Sequence, residues 1–185
     1  YRLGYVCVQS GQLDDAVGYL TRALEIDPEF PLAMAALGYA YRRQAEKMEA
    51  GLERERLMNM AERCMLDGLA LSPKLVDDDG ESWWGSLGGL YRRRGLNEQA
   101  IRAYQQAAEV TPHSSYPFSN LAMLYMGAQD RDGMLRMFKR VERLAKGETQ
   151  ADVDNYWAYA DLLTSQLALG KFSDAEEALQ SLFDT

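Results

Sequence analysis

Few side chains in this 185-residue chain are of a type and spacing that could do covalent chemistry. The one histidine, His113, stands beside Pro112, and the two cysteines, Cys7 and Cys64, lie far apart with no C-x-x-C. A zinc site needs four ligands in close array, which these three residues cannot supply without several carboxylates. Asp77, Asp78 and Asp79 precede Gly80. A calcium loop of the EF-hand type alternates its ligands and places a Glu twelfth, so contiguous acids fail that spacing. The stretch reads instead as a polar, solvated turn able to cap the helix after it. Metalloprotease, dinucleotide, P-loop and nucleophile-elbow patterns are absent. Gly85, Gly88 and Gly89 cluster, but within a helical pattern and so without a phosphate-cradling loop. No catalytic residue, metal or cofactor is expected, and the chain reads as no enzyme. What remains is non-covalent: Arg42 with Arg43 and Arg92 with Arg93 could meet a carboxylate bidentately. Each pair also falls near the C-terminal end of a helix, where cations are favourable in any case.

Helices must position these groups. Trp84, Leu87, Leu90 and Tyr91, then Ala100, Ile101, Tyr104, Ala107 and Ala108, recur at three- and four-residue spacing, the stripe of an amphipathic helix. Gly95 follows three Arg, a stop with cations in the last turn. Pro28, Pro73 and Pro112 each close a second helix, because proline cannot continue one. No stretch alternates with period two for long, so no sheet is expected.

Stretches of the chain lie on one another in a single register. The fullest reads Trp84, Leu87, Gly88, Tyr91, Gly95, Ala100, Tyr104, Ala107 and Pro112. Leu3, Gly4, Gly11, Ala16, Leu20, Ala23 and Pro28 fall on it, as do Met34, Leu37, Gly38, Tyr41, Ala61, Met65, Gly68 and Pro73. A fourth copy has Phe118, Leu121, Ala122, Tyr125, Phe138 and Val141, with Met134 where a small residue is expected and Lys146 where Pro is expected. A fifth has Tyr159, Leu162, Gly170, Ala175, Leu179 and Leu182. The pattern resembles the tetratricopeptide repeat, a helix-turn-helix of about 34 residues. The resemblance implies an all-α, right-handed α-solenoid of about five repeats, near 1–28, 31–73, 81–112, 115–146 and 152–185, forming one elongated domain. The second copy is stretched. Tyr41 and Ala61 stand twenty positions apart where Tyr91 and Ala100 stand nine apart. The eleven extra residues, rich in helix formers, predict long helices near 31–50 and 52–71, turning at Gly51 and protruding by roughly 8 Å past their neighbours.

Net charge is −8. That argues against nucleic acid or an anionic membrane as partner, since both require cationic surface. No apolar run approaches the roughly 18 residues that span a bilayer. Two thiols in helical stripes read as buried and unpaired, which leaves the compartment open and favours a reducing one such as the cytoplasm. Tyr1 falls inside a first helix and no polar capping helix follows Phe183, so the chain reads as a piece of a longer protein. The apolar faces of Leu3, Val6 and Leu20 at one end, and Leu179, Leu182 and Phe183 at the other, predict self-association.

In the family the first helix of each copy lines a concave face. With Trp84, Leu87, Gly88 and Tyr91 turned inward, Ser82, Gly85, Ser86, Gly89, Arg92 and Arg93 fall on the opposite side. Tyr39, Arg42 and Arg43 join them from the second copy, and Asn120 and Met123 from the fourth. Gly85 and Gly89, one turn apart, would leave backbone bare for a ligand side chain, or else serve close packing. The Lys-and-Asn set with which some family members clamp a terminal carboxylate is absent. The resemblance thus implies a non-catalytic module that binds a peptide or protein surface in its concave groove, with an acidic segment suited to the arginines. The alternatives are a structural spacer or self-association unit, and a regulatory domain of a larger enzyme or transcription factor.

Overall fold

In a computed structural model the chain is described over residues 1–184, so Thr185, the last residue of the expected fifth copy, lies outside the described residues. Among the described residues ten helices follow one another: α1 (Arg2–Gln9), α2 (Leu13–Ile26), α3 (Pro31–Glu46), α4 (Leu52–Leu71), α5 (Trp83–Arg93), α6 (Asn97–Val110), α7 (Tyr116–Gly127), α8 (Arg131–Ala151), α9 (Tyr156–Ala168) and α10 (Phe172–Asp184). Among the described residues, strand pairing is limited to one isolated bridge between Val76 and Ser82. The chain divides into two compact units, Tyr1–Ala100 and Ile101–Thr185.

Punctuation in the sequence sets the helix ends. α2, α4 and α6 each stop two residues before a proline: Pro28, Pro73 and Pro112. The fourth copy lacks that proline, and α8 runs on past Lys146 to Ala151. Short turns after α1, α5 and α9 use Gly11, Gly95 and Gly170 at φ +78°, +73° and +74°, a left-handed backbone that glycine adopts at no steric cost. After α7 the same turn is made by Gln129 at φ +59°, which a residue with a Cβ adopts only at a cost.

In the first unit α3 and α4 form the most extensive pairing, with α2 and α1 stacked beyond α3. Gly38 and Gly68 permit this approach. A Cβ on Gly38 would lie 2.7 Å from the Ala61 carbonyl oxygen and 3.1 Å from the Met65 nitrogen, and one on Gly68 would lie 2.7 Å from the Pro31 carbonyl oxygen. The eleven extra residues fall three at the end of α3, two in the turn and six at the start of α4, so the division is unequal and the turn spans residues 47–51 rather than resting on Gly51 alone. Six residues lengthen α4 by about 9 Å at 1.5 Å per residue. The end of α3 and the residue after it are tied to the start of α2 and the α1–α2 turn: Gln44 Nε2 donates to Asp14 at 2.7 Å, and Lys47 Nζ to the Gly11 carbonyl at 3.3 Å.

The acidic stretch folds as a tight turn that the bridge closes. Asp77 Oδ1 accepts the backbone N–H of Asp79 and of Glu81, at 3.0 and 2.8 Å. The cap of α5 comes from Ser82, whose hydroxyl accepts from Trp84 N. Trp84, expected to face inward, is half-buried, with its indole N–H donated to the Pro73 carbonyl at 2.9 Å. The buried indole is its neighbour Trp83, at 2% exposure, set edge-on to Tyr5 and Tyr39.

In the second unit α7 packs on α8, α8 on α9 and α9 on α10. Gly133 is buried one residue before Met134 and accounts for the small side chain that the register placed at 134. Buried Glu142 accepts from Lys171 Nζ at 2.8 Å and from Lys146 at 3.2 Å, which joins α8 to the α9–α10 turn.

Candidate functional site

Of the arginines expected to line a groove, Arg42 and Arg93 are brought together, at Glu46. Arg42 Nε stands 3.3 Å from Glu46 Oε1, and Arg93 Nε stands 2.8 Å from the same oxygen. Arg42 also donates to the Ser86 carbonyl at 3.5 Å, and Arg93 to the Gly89 carbonyl at 3.2 Å. One carboxylate and two guanidinium groups thus fasten the end of α3 to the end of α5. Arg42 is buried at 6% exposure, its guanidinium 4.5 Å above the Tyr39 ring. Its expected role as a binding cation is therefore corrected: it braces the two helices. Arg43 is half-buried, its guanidinium 5.9 Å from the same ring and 3.5 Å from the Tyr39 hydroxyl. Arg92 is exposed and has no ion-pair partner among the described residues.

Ser82, Gly85 and Gly89 are buried and Ser86 is half-buried. The bare glycine floor expected at Gly85 and Gly89 is thus a packed surface, and Ser82 serves as a helix cap. The signal that would have separated the two readings is Trp83: with that indole turned into the core, its helical neighbours are drawn in with it. Glu46, which sets the spacing of the arginines, carries no sequence signal. It lies 47 positions from Arg93, and only the fold brings them together.

The second unit presents a different surface. α7 and α9 hold a single charged residue between them, Asp161. The Ser119 hydroxyl donates to Asp161 Oδ1 at 2.7 Å and so sets the register of α7 against α9. Tyr116 and Trp157 lie a turn before that contact, and Met123 a turn after it; all three are exposed, Trp157 at 77%. Asn120 is half-buried and donates to the Tyr116 carbonyl of its own helix at 2.9 Å.

Among the described residues, no group of His, Cys, Asp and Glu is placed to hold a metal ion, and no helix is long and apolar enough to cross a membrane. Cys7 is buried and Cys64 half-buried, both free, with burial pushing the Cys64 thiol up from its usual pKa. Leu3, Val6, Leu179 and Phe183 are exposed as expected of the end faces, whereas Leu20 is fully buried beside Gly4.

Stacked helical hairpins that offer side-chain faces to solvent define a protein–protein interaction module. A family model described as TPR repeat matches residues 4–44, and one described as tetratricopeptide repeat matches residues 83–114. The chain carries tetratricopeptide repeats over these residues. Among curated proteins it is 25% identical over 192 residues to protein bimA of Emericella nidulans, covering 94% of this chain and 23% of that protein. It is 26% identical over 129 residues to anaphase-promoting complex subunit 3 of Schizosaccharomyces pombe, covering 70% of this chain and 17% of that one. The chain therefore spans about a quarter or less of these relatives. Three solved structures share its fold. Pseudomonas aeruginosa pilF superposes with TM-score 0.69 at 19% identity, over 99% of this chain and 73% of that one. MamA does so with 0.62 at 16%, over 98% and 86%. YrrB, described as a TPR protein with an unusual peptide-binding site, does so with 0.56 at 16%, over 99% and 82%.

Proposed function

We propose that the chain is a non-catalytic module that holds an acidic segment of a partner protein against the joined ends of α3 and α5. One observation carries this reading. Two guanidinium groups, those of Arg42 and Arg93, meet there at the single carboxylate of Glu46, and that of Arg43 lies by the Tyr39 ring that Arg42 also covers, leaving local positive charge on a chain of net charge −8. Arg42 supports from beneath, while Arg43, beside Tyr39, and the exposed Arg92 and Arg93 are offered to the partner. Charge of this kind steers an acidic partner to one place on an otherwise acidic protein. The relative in Schizosaccharomyces pombe is by name a subunit of a multi-protein complex, which agrees with a scaffolding role.

The test is fluorescence anisotropy with a labelled Glu- and Asp-rich decapeptide and its Gln and Asn counterpart. The acidic peptide should bind more tightly, with an advantage that shrinks as salt rises. An exposed ion pair contributes about 0.5–1 kcal/mol, so Arg43→Glu with Arg92→Glu should weaken the acidic peptide about tenfold. Equal binding of the two peptides would overturn the reading.

A further inference from the structure

The α7–α9 contact holds one close oxygen–oxygen approach more than the serine hydroxyls can fill while both carboxyls are ionised. Ser115, the residue before α7, is buried, and its Oγ stands 2.7 Å from Glu148 Oε2 and 2.9 Å from Asp161 Oδ2. A serine hydroxyl has a single hydrogen and can satisfy one of these oxygens. Among the described residues, no other donor reaches the second contact. The Ser115 N–H goes to Glu148 Oε1 at 2.7 Å, and the Ser119 hydroxyl goes to Asp161 Oδ1 at 2.7 Å. Two oxygens held at hydrogen-bond distance without a hydrogen between them would repel, so one carboxyl must supply it. Glu148 already accepts both donors of Ser115. Asp161 Oδ2 is the oxygen with no donor of its own.

We infer that a proton resident on Asp161 Oδ2 and donated to Ser115 Oγ closes the run Asp161–Ser115–Glu148, making a clamp across α7, α8 and α9 that loosens when that proton leaves. The overrun of α8 makes the clamp possible, because Glu148 lies beyond Lys146, the place at which a proline would have stopped the helix. The surroundings favour the protonated form. Burial raises the Asp161 carboxyl above its usual range, the hydrogen bonds from Ser119 and Ser115 lower it by less, and the Glu148 charge raises it further. α7 contributes no charged group, only the phenols of Tyr116 and Tyr125, and α9 contributes the phenols of Tyr156 and Tyr159. Beyond Glu148, the charged groups linking α8 to the α9–α10 turn are Glu142, Lys146 and Lys171, which are bound to one another. Because the folded chain keeps a proton that the unfolded chain releases, the clamp is fully formed below the ordinary aspartate range. It is lost as pH rises through the raised value of Asp161.

Carboxyl carbon shifts of the isotope-labelled 185-residue chain, followed against pH, test this directly. The Asp161 resonance should titrate above the ordinary aspartate value of about 3.9, and a midpoint at or below that value overturns the clamp. Thermal melts of the wild type and of Asp161→Asn give a second readout. The amide of the variant keeps an N–H toward Ser115 at every pH, so the variant should lack the part of the wild-type fall in Tm that accompanies rising pH. Profiles that fall in parallel also overturn the inference. Should Asp161→Asn fail to fold, the wild-type titration decides alone.

Discussion

A single methyl group should act with opposite sign at two glycines of the first unit. Both Gly18, in α2, and Gly38, in α3, sit in helix interiors, where alanine is favoured by about 1 kcal/mol through propensity alone. Around Gly18 nothing lies within 4 Å of an added Cβ, so Gly18→Ala should stabilise by close to that amount. Around Gly38 the added carbon would meet the Ala61 carbonyl oxygen at 2.7 Å, the Met65 side chain at 2.8 Å and the Met65 nitrogen at 3.1 Å. The side chain can swing away, but the two backbone atoms move only if α4 moves. Overpacking of this kind costs about 1–3 kcal/mol, and rigid backbone on the far side points to the upper end. After the gain from propensity, Gly38→Ala should destabilise by about 2 kcal/mol. Urea unfolding followed by circular dichroism measures both, the midpoint rising for Gly18→Ala and falling for Gly38→Ala. If both midpoints move the same way, the close approach of α3 and α4 is not what the glycine serves.

Gly89→Leu, which on a bare floor would block a ligand and spare the fold, should instead lower the unfolding midpoint, because Gly89 is buried; an unchanged midpoint would reopen the floor as a binding surface. Gln129→Gly relieves a left-handed backbone and should stabilise by about 1 kcal/mol, whereas a loss in urea unfolding would show that the Gln side chain matters more than its backbone. Burial alone would raise the Glu142 carboxyl, yet hydrogen bonds from Lys171 and Lys146 bring it below the usual glutamate range. Its contribution is present above the unfolded value and lost as pH falls through the lowered one, so Lys171→Met should shift the acid-unfolding midpoint to higher pH. An unshifted midpoint would show that Lys146 suffices. The exposed Leu3, Val6, Leu179 and Phe183 lead to concentration-dependent association in sedimentation runs, and a strictly monomeric chain at high concentration would count against it.

The helices were legible wherever glycine and proline punctuate the sequence. Pro28, Pro73 and Pro112 placed three helix ends, because proline acts through its own backbone. Where the fourth copy drops its proline, the sequence showed the gap at Lys146 but not how far α8 would continue. The side of a helix that meets solvent was harder to read. Trp83 and Trp84 are adjacent and chemically alike, and the repeat register selected the second where the core takes the first. Polar constellations were not legible at all. Glu46 with Arg93, and Ser115 with Glu148 and Asp161, join residues from separate helices whose spacing in sequence follows no period.

The lengthened α3–α4 hairpin has a use beyond its own packing. Its eleven extra residues enter at the tip, where residues 47–53 are all exposed, and leave Gly38 and Gly68 facing their usual partners. Growth at such a tip changes neither the spacing of one hairpin from the next nor the buried stripe that joins them. For an engineer this makes the 47–51 turn a docking port: a foreign loop, an affinity tag or a reporter could be spliced there, with the α1–α2 turn bracing its base through Gln44 and Lys47.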